Sequence, residues 1–447
     1  MQLSKEFHIK LRRFRSDRRA FASFVFLCVL FFLTLPAELI CNVRPVLLVV
    51  QGKPYFPILF TYSEKDFGGA LLSEPDYKSE AFLRLLRGEE KLPPAGKQIL
   101  QDFEDESPPG FSLGLGDFED EKSDGSNDLK KGQATFKLTL EDFAEDETLA
   151  KDISTANKVT EQPPEPQSTP KVQSGARDFW MLWPPVRYDY KYIPTESRTG
   201  RVVLTAPYRT PTADGKGYVE SSIRDGHYLG TDDRGRDVLA RLIYGFRISM
   251  IFGIFLAVTG TVIGCFIGGF QGFFGGWVDL SGQRLTEIWG SIPRLYILII
   301  LSSFLAPSTL LLFVILNLTA WMGIAAYIRA EFLKIRNLEF VKAAKAMGVS
   351  NFKIMRRHIL PNALTPVITF FPFEVTAGIL ALISLDYLNL GVPSPAPSMG
   401  ELLAQGKNNL HALWILLPTF TILTVTLTCL TFVGEGVRNA FDPRRTA

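Results

Sequence analysis

The chain has 447 residues, 47% of them hydrophobic and 21% charged, with 35 Phe and a formal net charge of +2. It is too apolar for an ordinary soluble enzyme and too charged to lie wholly in a membrane, so apolar spans joined by polar segments are implied. The net charge identifies no partner, because long translocated regions escape the loop-charge rule, and no nucleic-acid partner is expected. Cys28, Cys41, Cys265 and Cys429 lie in or beside apolar runs, leaving no disulfide framework outside them. His8, His227, His358 and His411 are scattered without ligand spacing, so no metal site is expected.

In chain order, residues 1–19 form a basic N-terminus that includes Arg12, Arg13, Arg15, Arg18 and Arg19. A helix needs about 20 apolar residues to cross the hydrocarbon core, and Ala20 to Ile40 is the first such run, so residues 20–41 are read as the first span. It is too long for a signal peptide, and no small-residue cleavage site follows. Residues 42–82 contain strand-like stretches such as Pro45 to Val50 and predict a compact piece. Residues 83–177 are rich in Asp, Glu, Lys, Pro and Ser and repeat an acidic pattern around Phe103, Phe118 and Phe143, which predicts disorder. The repeats are either a solvated spacer or a docking ligand for a basic groove. Residues 178–241 regain aromatic character; Trp180, Trp183 and Tyr188 either lie at the outer membrane interface or form a small core.

Residues 242–437 carry the remaining spans: Met250 to Phe270, two within Ile288 to Ile328 turning near Pro307 and Ser308, Pro366 to Leu388, and Leu413 to Val437. The expected fold class is an all-α integral membrane protein with six transmembrane helices and a long, partly disordered insert between the first two. Ahead of the second span, Thr231 or Asp232 can cap a helix, and Asp237 stands four residues before Arg241, which predicts a pair along the helix surface. Gly260, Gly264 and Gly268 recur every four residues and make a face that another helix can approach closely. Glu374 lies inside the fifth apolar run, where a charge is costly unless it faces protein or a water-filled cavity. It lines a pathway, pairs with a partner's polar group, or sits at a helix end near the interface beside Pro372. Residues 438–447 are a short tail.

The connection 331–362 differs from the other loops. Asn337 can cap a first helix, Ala343, Ala344 and Ala346 keep its surface small, and Gly348 can end it in a left-handed conformation. Ser350 or Asn351 can cap a second helix carrying Lys353, Arg356 and Arg357 until Leu360 and Pro361 stop it. Such a pair fits a groove on another protein; a basic loop held by anionic lipid headgroups is the alternative. Lys and Arg concentrate here and before Ala20, whereas Asn389 to Ala412 carries Lys407 alone. The loop-charge rule therefore puts both termini and this loop in the cytoplasm and the long first connection outside. No G-x-x-x-x-G-K-[ST] run occurs, so the chain has no loop for cradling ATP phosphates.

Ala343, Ala344, Gly348, Leu360 and Pro361 fall on the cytoplasmic-loop pattern of ABC importer permeases, and the chain resembles that family. Lys342 in place of the usual Glu, and His358 in place of an aliphatic residue, resemble the dipeptide and oligopeptide branch. Gly230, Thr231, Asp232, Gly235, Arg236, Asp237, Arg241, Tyr244, Gly245 and Ser249 match the segment before the second span of these permeases. Gly275, Gly276, Asp279, Arg284 and Pro293 match a later turn. Gly391, Pro393, Pro395, Pro397, Ser398 and Gly400 resemble an external loop, with Met399 for the usual Trp. Gly434, Glu435, Arg438, Asp442 and Pro443 match the tail, with Asn439 for a more usual Asp.

The stretches AELICN, YFPILFTYSEKDFGG and LLAQGKNNL are most similar to the microcin C and oligopeptide uptake permease; residues 83–177 depart from it. The resemblance implies a bacterial inner-membrane permease forming half of a peptide pathway beside a second permease subunit, in contact with lipid. It implies an external peptide-binding protein and a cytoplasmic ABC ATPase that binds ATP and Mg, with no cofactor and no catalysis in this chain. Two rivals stand beside this reading. One is a membrane-anchored scaffold or sensor whose acidic insert recruits an envelope partner; the other is a secondary transporter working alone, against which the docking loop speaks.

Overall fold

The structure is a computed structural model that describes residues 2–69, 71–88, 178–194, 202–211, 217–305 and 308–441. The acidic repeats, Pro307 and the tail residues Asp442, Pro443, Arg444 and Arg445 lie outside the described residues. The chain divides into two units: Met1–Tyr62, Glu74–Phe82 and Asp178–Ala447 form one, and Ser63–Ser73 with Leu83–Arg177 form the other. In the second unit the 3₁₀ turn Glu64–Phe67 is capped by Ser63 and Asp66 and closed by Gly68 at φ 91°.

The first unit opens with α1 (Gln2–Ser16) and α2 (Arg18–Thr34), separated by Asp17, whose carboxylate accepts from the Ala20 amide at 3.3 Å and caps α2. The first apolar helix is shorter than the run Ala20 to Ile40, because Pro36 has no amide to continue the ladder; a separate turn, α3 (Ala37–Ile40), follows it. Gln51 and Gly52, both at positive φ, close a two-residue hairpin between β1 (Leu47–Val50) and β2 (Lys53–Tyr55). After α4 (Glu80–Arg87), which passes from the first unit into the second at Leu83, β3 (Phe179–Leu182) pairs antiparallel with the other edge of β1, with Leu47 opposite Leu182. The two readings of the aromatic residues resolve differently. Tyr188 is buried with Ala37, Cys41, Val186, Ala240 and Tyr244, whereas Trp180 is exposed. Two short strands, β4 (Thr210–Pro211) and β5 (Tyr218–Val219), precede the helical core.

That core consists of α5 (Val238–Phe274), α6 (Gly276–Gly290), α7 (Arg294–Phe304), α8 (Thr309–Ile335), α9 (Glu339–Ala346), α10 (Asn351–Ile354), α11 (Leu360–Tyr387), α12 (Met399–Asn408) and α13 (Leu413–Phe441). Among the described residues four helical rods are long and apolar enough to cross a membrane: α5, α8, the continuous Asn351–Tyr387, and α13. The other two apolar runs are also helical but shorter, in α2 and α7. The apolar run from Ile288 is divided between two helices, because Pro293 separates α6 from the 11 residues of α7. Ser308 then caps α8 by accepting from the Leu311 amide at 3.1 Å. The helix that carries the second apolar run already starts at Val238, because Asp237 supplies the cap.

The glycine face packs against α8. A Cβ built on Gly264 would lie 2.8 Å from the Trp321 carbonyl oxygen, and one on Gly268 only 2.2 Å from that of Ala325. The two backbones therefore approach more closely than any side chain would permit. A second core joins α2, α5, α11, α12 and α13 through Leu27, Leu242, Phe246, Ile379, Leu402 and Leu430.

Candidate functional site

At the end of α8 the chain turns into the predicted helix pair, with three departures from expectation. Asn337 does not cap α9: its amide donates to the Leu333 carbonyl at 3.2 Å and finishes α8 instead, while Leu338 occupies the cap position without a side-chain bond. Ser350 is the cap residue of α10 but makes no side-chain cap bond there. Leu360 and Pro361 do not stop the second helix. Residues Met355–Ile359 form a π turn that runs directly into α11, with Pro361 in its first turn, where the missing amide costs little. Gly348 adopts φ 76°, with open space where a Cβ would point.

Val341, Ala344, Ile354 and Ile359 are buried together with Ile328, Phe332 and Ile335 of α8 and Ala363 and Val367 of α11, which fixes the pair to the bundle. The opposite side is apolar and bare: Met347 is 75% exposed and Phe352 68%, with Phe340 beside them at 44%. Ala343 is exposed and Ala344 buried, so the neighbouring alanines serve different faces. Leu360 is half-buried and Pro361 exposed. Lys345 crosses back over the Phe273 ring at 4.9 Å, and Arg336 donates to the carbonyls of Gly272 and Phe273 at the C-terminal end of α5.

The segment before α5 stands at the other end of that helix, about 55 Å away at 1.5 Å per residue. Here the expected surface pair Asp237–Arg241 is not formed. One Asp237 oxygen accepts from the Ala240 amide at 2.7 Å, and the other lies 2.8 Å from His227 Nδ1, so the carboxylate has no free edge for Arg241. Thr231 caps no helix; its hydroxyl donates to the Val202 carbonyl at 2.7 Å and accepts from the Thr205 amide. Asp232 binds Arg236 Nε at 2.7 Å and accepts from the amides of Arg234 and Arg236. Gly230 and Gly235 take positive φ, and a Cβ on Gly230 would lie 2.6 Å from the Thr205 carbonyl.

Arg236 and Arg241, 2% and 0% exposed, converge on Glu401 of α12, at 3.1 and 2.5 Å. Burial pulls the Arg236 guanidinium down, but Asp232 and Glu401 outweigh it and hold its pKa above the ordinary value. Ser398 extends the chain of contacts: its hydroxyl accepts from the Glu401 amide at 3.1 Å and donates to Asp386, near the end of α11, at 2.6 Å. Asp386 also accepts from the Val392 amide, and Gly391 leaves it room. Neither Glu401 nor Asp386 stood out in the sequence. The Ser-x-x-Glu spacing of Ser398 and Glu401, which marks a capping box, was the available signal.

Lys78 enters beside this cluster. Its ammonium lies 3.5 Å over the Tyr188 ring and 4.8 Å from that of Tyr192, and the atom is buried without a hydrogen-bond acceptor among the described residues. Burial brings its pKa down to about 8. Tyr188 in turn stacks on His227 at 3.9 Å.

A family model described as the binding-protein-dependent transport system inner membrane component matches residues 260–447. The peptidoglycan transport system permease protein YejE of Agrobacterium fabrum is 36% identical over 441 residues, covering 97% of this chain and 92% of that protein. The chain belongs to this family of transport permeases. The inner membrane ABC transporter permease protein YejE of Escherichia coli is 34% identical over 433 residues, again covering 97% of the chain and 96% of that protein. The oligopeptide transport system permease protein OppC of the same species is 39% identical over 223 residues, half of this chain and 74% of that one. The permease is thus the membrane component of an importer, and the scaffold reading finds no support among these relatives.

In the permease Glu374 lies well inside α11, half-buried and past Pro372, so a position at the helix end is excluded. The structure does not bring it to either of the two sites described above. Asp279 of α6 forms a bidentate pair with Arg329 of α8, and this arginine holds the carboxyl below the usual carboxylate range. Among the described residues no His, Cys, Asp and Glu cluster suited to a metal ion occurs.

Proposed function

We propose that this permease forms half of the membrane pathway of an ATP-driven importer for oligopeptides or peptide-like compounds, and that its 331–362 loop seats in a cytoplasmic ABC ATPase. The observation that carries the proposal is the helix pair: one face is locked into the bundle by Val341, Ala344 and Ile354, while Met347 and Phe352 project bare from the other. Bare apolar side chains at a helix–turn–helix tip suit a groove on a partner. Ala343, Ala344, Gly348, Leu360 and Pro361 are assigned to this coupling loop, Ala343, Gly348 and Pro361 at exposed positions and Ala344 on the face that holds the pair to the bundle. The peptide class is supported by the names of the relatives.

A second permease subunit completes the pathway, an external protein delivers peptide, and ATP and Mg are held by the ATPase. Membrane lipid surrounds the spans. Both termini and the helix pair face the cytoplasm, with the long connection between α2 and α5, including the insert 83–177, on the outer side. Glu374 is assigned to the pathway as an ionisable residue at mid-helix in α11, a position where such residues commonly mark a substrate path.

The test is to purify the permease from its native membrane in mild detergent and identify by mass spectrometry what stays bound, comparing wild type with Gly348→Val. Wild type retains an ATPase and a second permease, and the variant keeps the second permease but loses the ATPase. A wild-type preparation that never carries an ATPase refutes the proposal.

A further inference from the structure

The buried charges before α5 join parts of the chain that are far apart in sequence. Asp232 belongs to the loop leading into α5, Arg236 to the turn before it, Arg241 to its first turns, Glu401 and Ser398 to the start of α12, and Asp386 to the last turn of α11. Among Asp232, Arg236, Arg241 and Glu401 the formal charges cancel. Apolar residues of matching shape often stabilise such a position at least as well, because desolvation offsets most of the Coulomb attraction. Stability alone therefore does not explain four charges at the junction of three helices. What the charges add is direction: each guanidinium accepts only one arrangement of its carboxylates, so the three helix ends can be docked in one register only. Apolar packing would let α12 slide.

We propose that this cluster is an outer clasp, in which Arg236 and Arg241, bridged by Glu401, join α5 and the 227–237 loop to α12, and Ser398 on Asp386 joins α12 to α11, so that the three helix ends form one unit that moves together during transport. Arg236, Arg241 and Glu401 are positioning residues, acting through the helix ends rather than on the peptide. This rests on the importer reading above. The tie to α11 matters most, because that helix is continuous with α10 of the helix pair, so the clasp connects that rod to the outer ends of α5 and α12.

The decisive variant is the charge-balanced double R241M/E401Q. It leaves Asp232 paired with Arg236 and keeps an amide oxygen where Glu401 Oε1 received Arg236. Glu401→Gln alone leaves the buried Arg241 guanidinium only its looser 3.5 Å approaches to Asp232 and the Tyr190 carbonyl, and should lower membrane abundance at least about tenfold. The double should return to within about twofold of wild type. With the complex purified together with its partners and reconstituted, a labelled tri-alanine peptide serves as the probe. The clasp predicts that the double still hydrolyses ATP yet imports at least about tenfold less peptide per ATP, a ratio that a purely structural role would not move. Uptake per ATP equal to wild type overturns the clasp, whereas a wild-type complex that imports no peptide at all overturns the importer reading instead.

Should the double fail to accumulate, a labelled permease with the clasp residues intact still decides the matter. Spin labels at exposed Tyr228 of the 227–237 loop and Lys407 of α12, with the native cysteines replaced, should keep their separation between nucleotide-free and ATP-trapped complexes. A change beyond roughly 5 Å, one helical turn, overturns the proposal.

Discussion

Replacing Gly268 with alanine should be among the most damaging single-methyl changes in the permease. The added Cβ would stand 2.2 Å from the Ala325 carbonyl oxygen and 2.9 Å from two further backbone atoms of Ala325, with no flexible side chain able to yield. Ordinary contact needs about 3.5 Å, so α5 and α8 must part by more than about 1 Å. Gly264 and Gly272 on the same face also lie within 3 Å of α8 atoms when given a Cβ, so the separation loosens the whole seam. Overpacking of this kind costs about 1–3 kcal/mol, and the backbone contact places Gly268 at the upper end. Gly323 of α8 supplies the control, because a Cβ there meets nothing within 4 Å. Gly323→Ala should gain up to about 1 kcal/mol from helix propensity alone. Thermal unfolding of both variants in mild detergent, with Gly260→Ala intermediate because its contact is 3.3 Å, gives a graded series. If Gly268→Ala unfolds no earlier than Gly323→Ala, the close-packed seam is wrong.

Lys78→Met should stabilise the permease at neutral pH. The native lysine, with its pKa depressed to about 8 from 10.5, carries a desolvation cost that is fully present below pH 8 and is relieved as pH rises towards 10.5. The variant's advantage, on the order of 1–3 kcal/mol after the lost ring contact is counted, should therefore shrink across that window. Unfolding temperatures at pH 7 and pH 10 check the sign, and a gap that widens at high pH would contradict it. Asp279→Asn should cost about 1 kcal/mol or somewhat more and loosen the first turns of α6, which buries none of its own side chains and is tied to α8 there by the Arg329 pair and at its far end by the Trp289 indole on the Leu318 carbonyl. Hydrogen exchange across 276–290 should rise in that variant while α5 and α8 remain protected; unchanged exchange would show that the pair is not the tether.

Much of this was legible in the sequence, for identifiable reasons. The spans, the glycine face and the turn at Gly348 follow from local rules, since apolar length, four-residue spacing and left-handed backbone need no knowledge of distant residues. The pairing of Asp237 was misjudged because the spacing to Arg241 is a helix-surface rule, while Asp237 is the cap itself and is already held by His227. Arg241 instead meets Glu401, 160 positions away, and no local pattern reports such a contact. Pro361 was misread as a stop because a proline ends a helix unless it falls in a first turn, and here a π turn resets the count just before it.

That π turn makes Asn351–Tyr387 one piece. A docking helix joined to its span by a flexible break would swing freely and dissipate any displacement before it reached the membrane. A helix continuous over 37 residues behaves as a lever some 55 Å long, so a tilt of a few degrees at Phe352 becomes a shift of several ångströms at Asp386. Its compliance lies within the rod, at the π turn and at Pro366 and Pro372, where backbone bonds are missing or displaced. Stiffening those three points, rather than the loop tip, is what would change how far a stroke at one end is felt at the other.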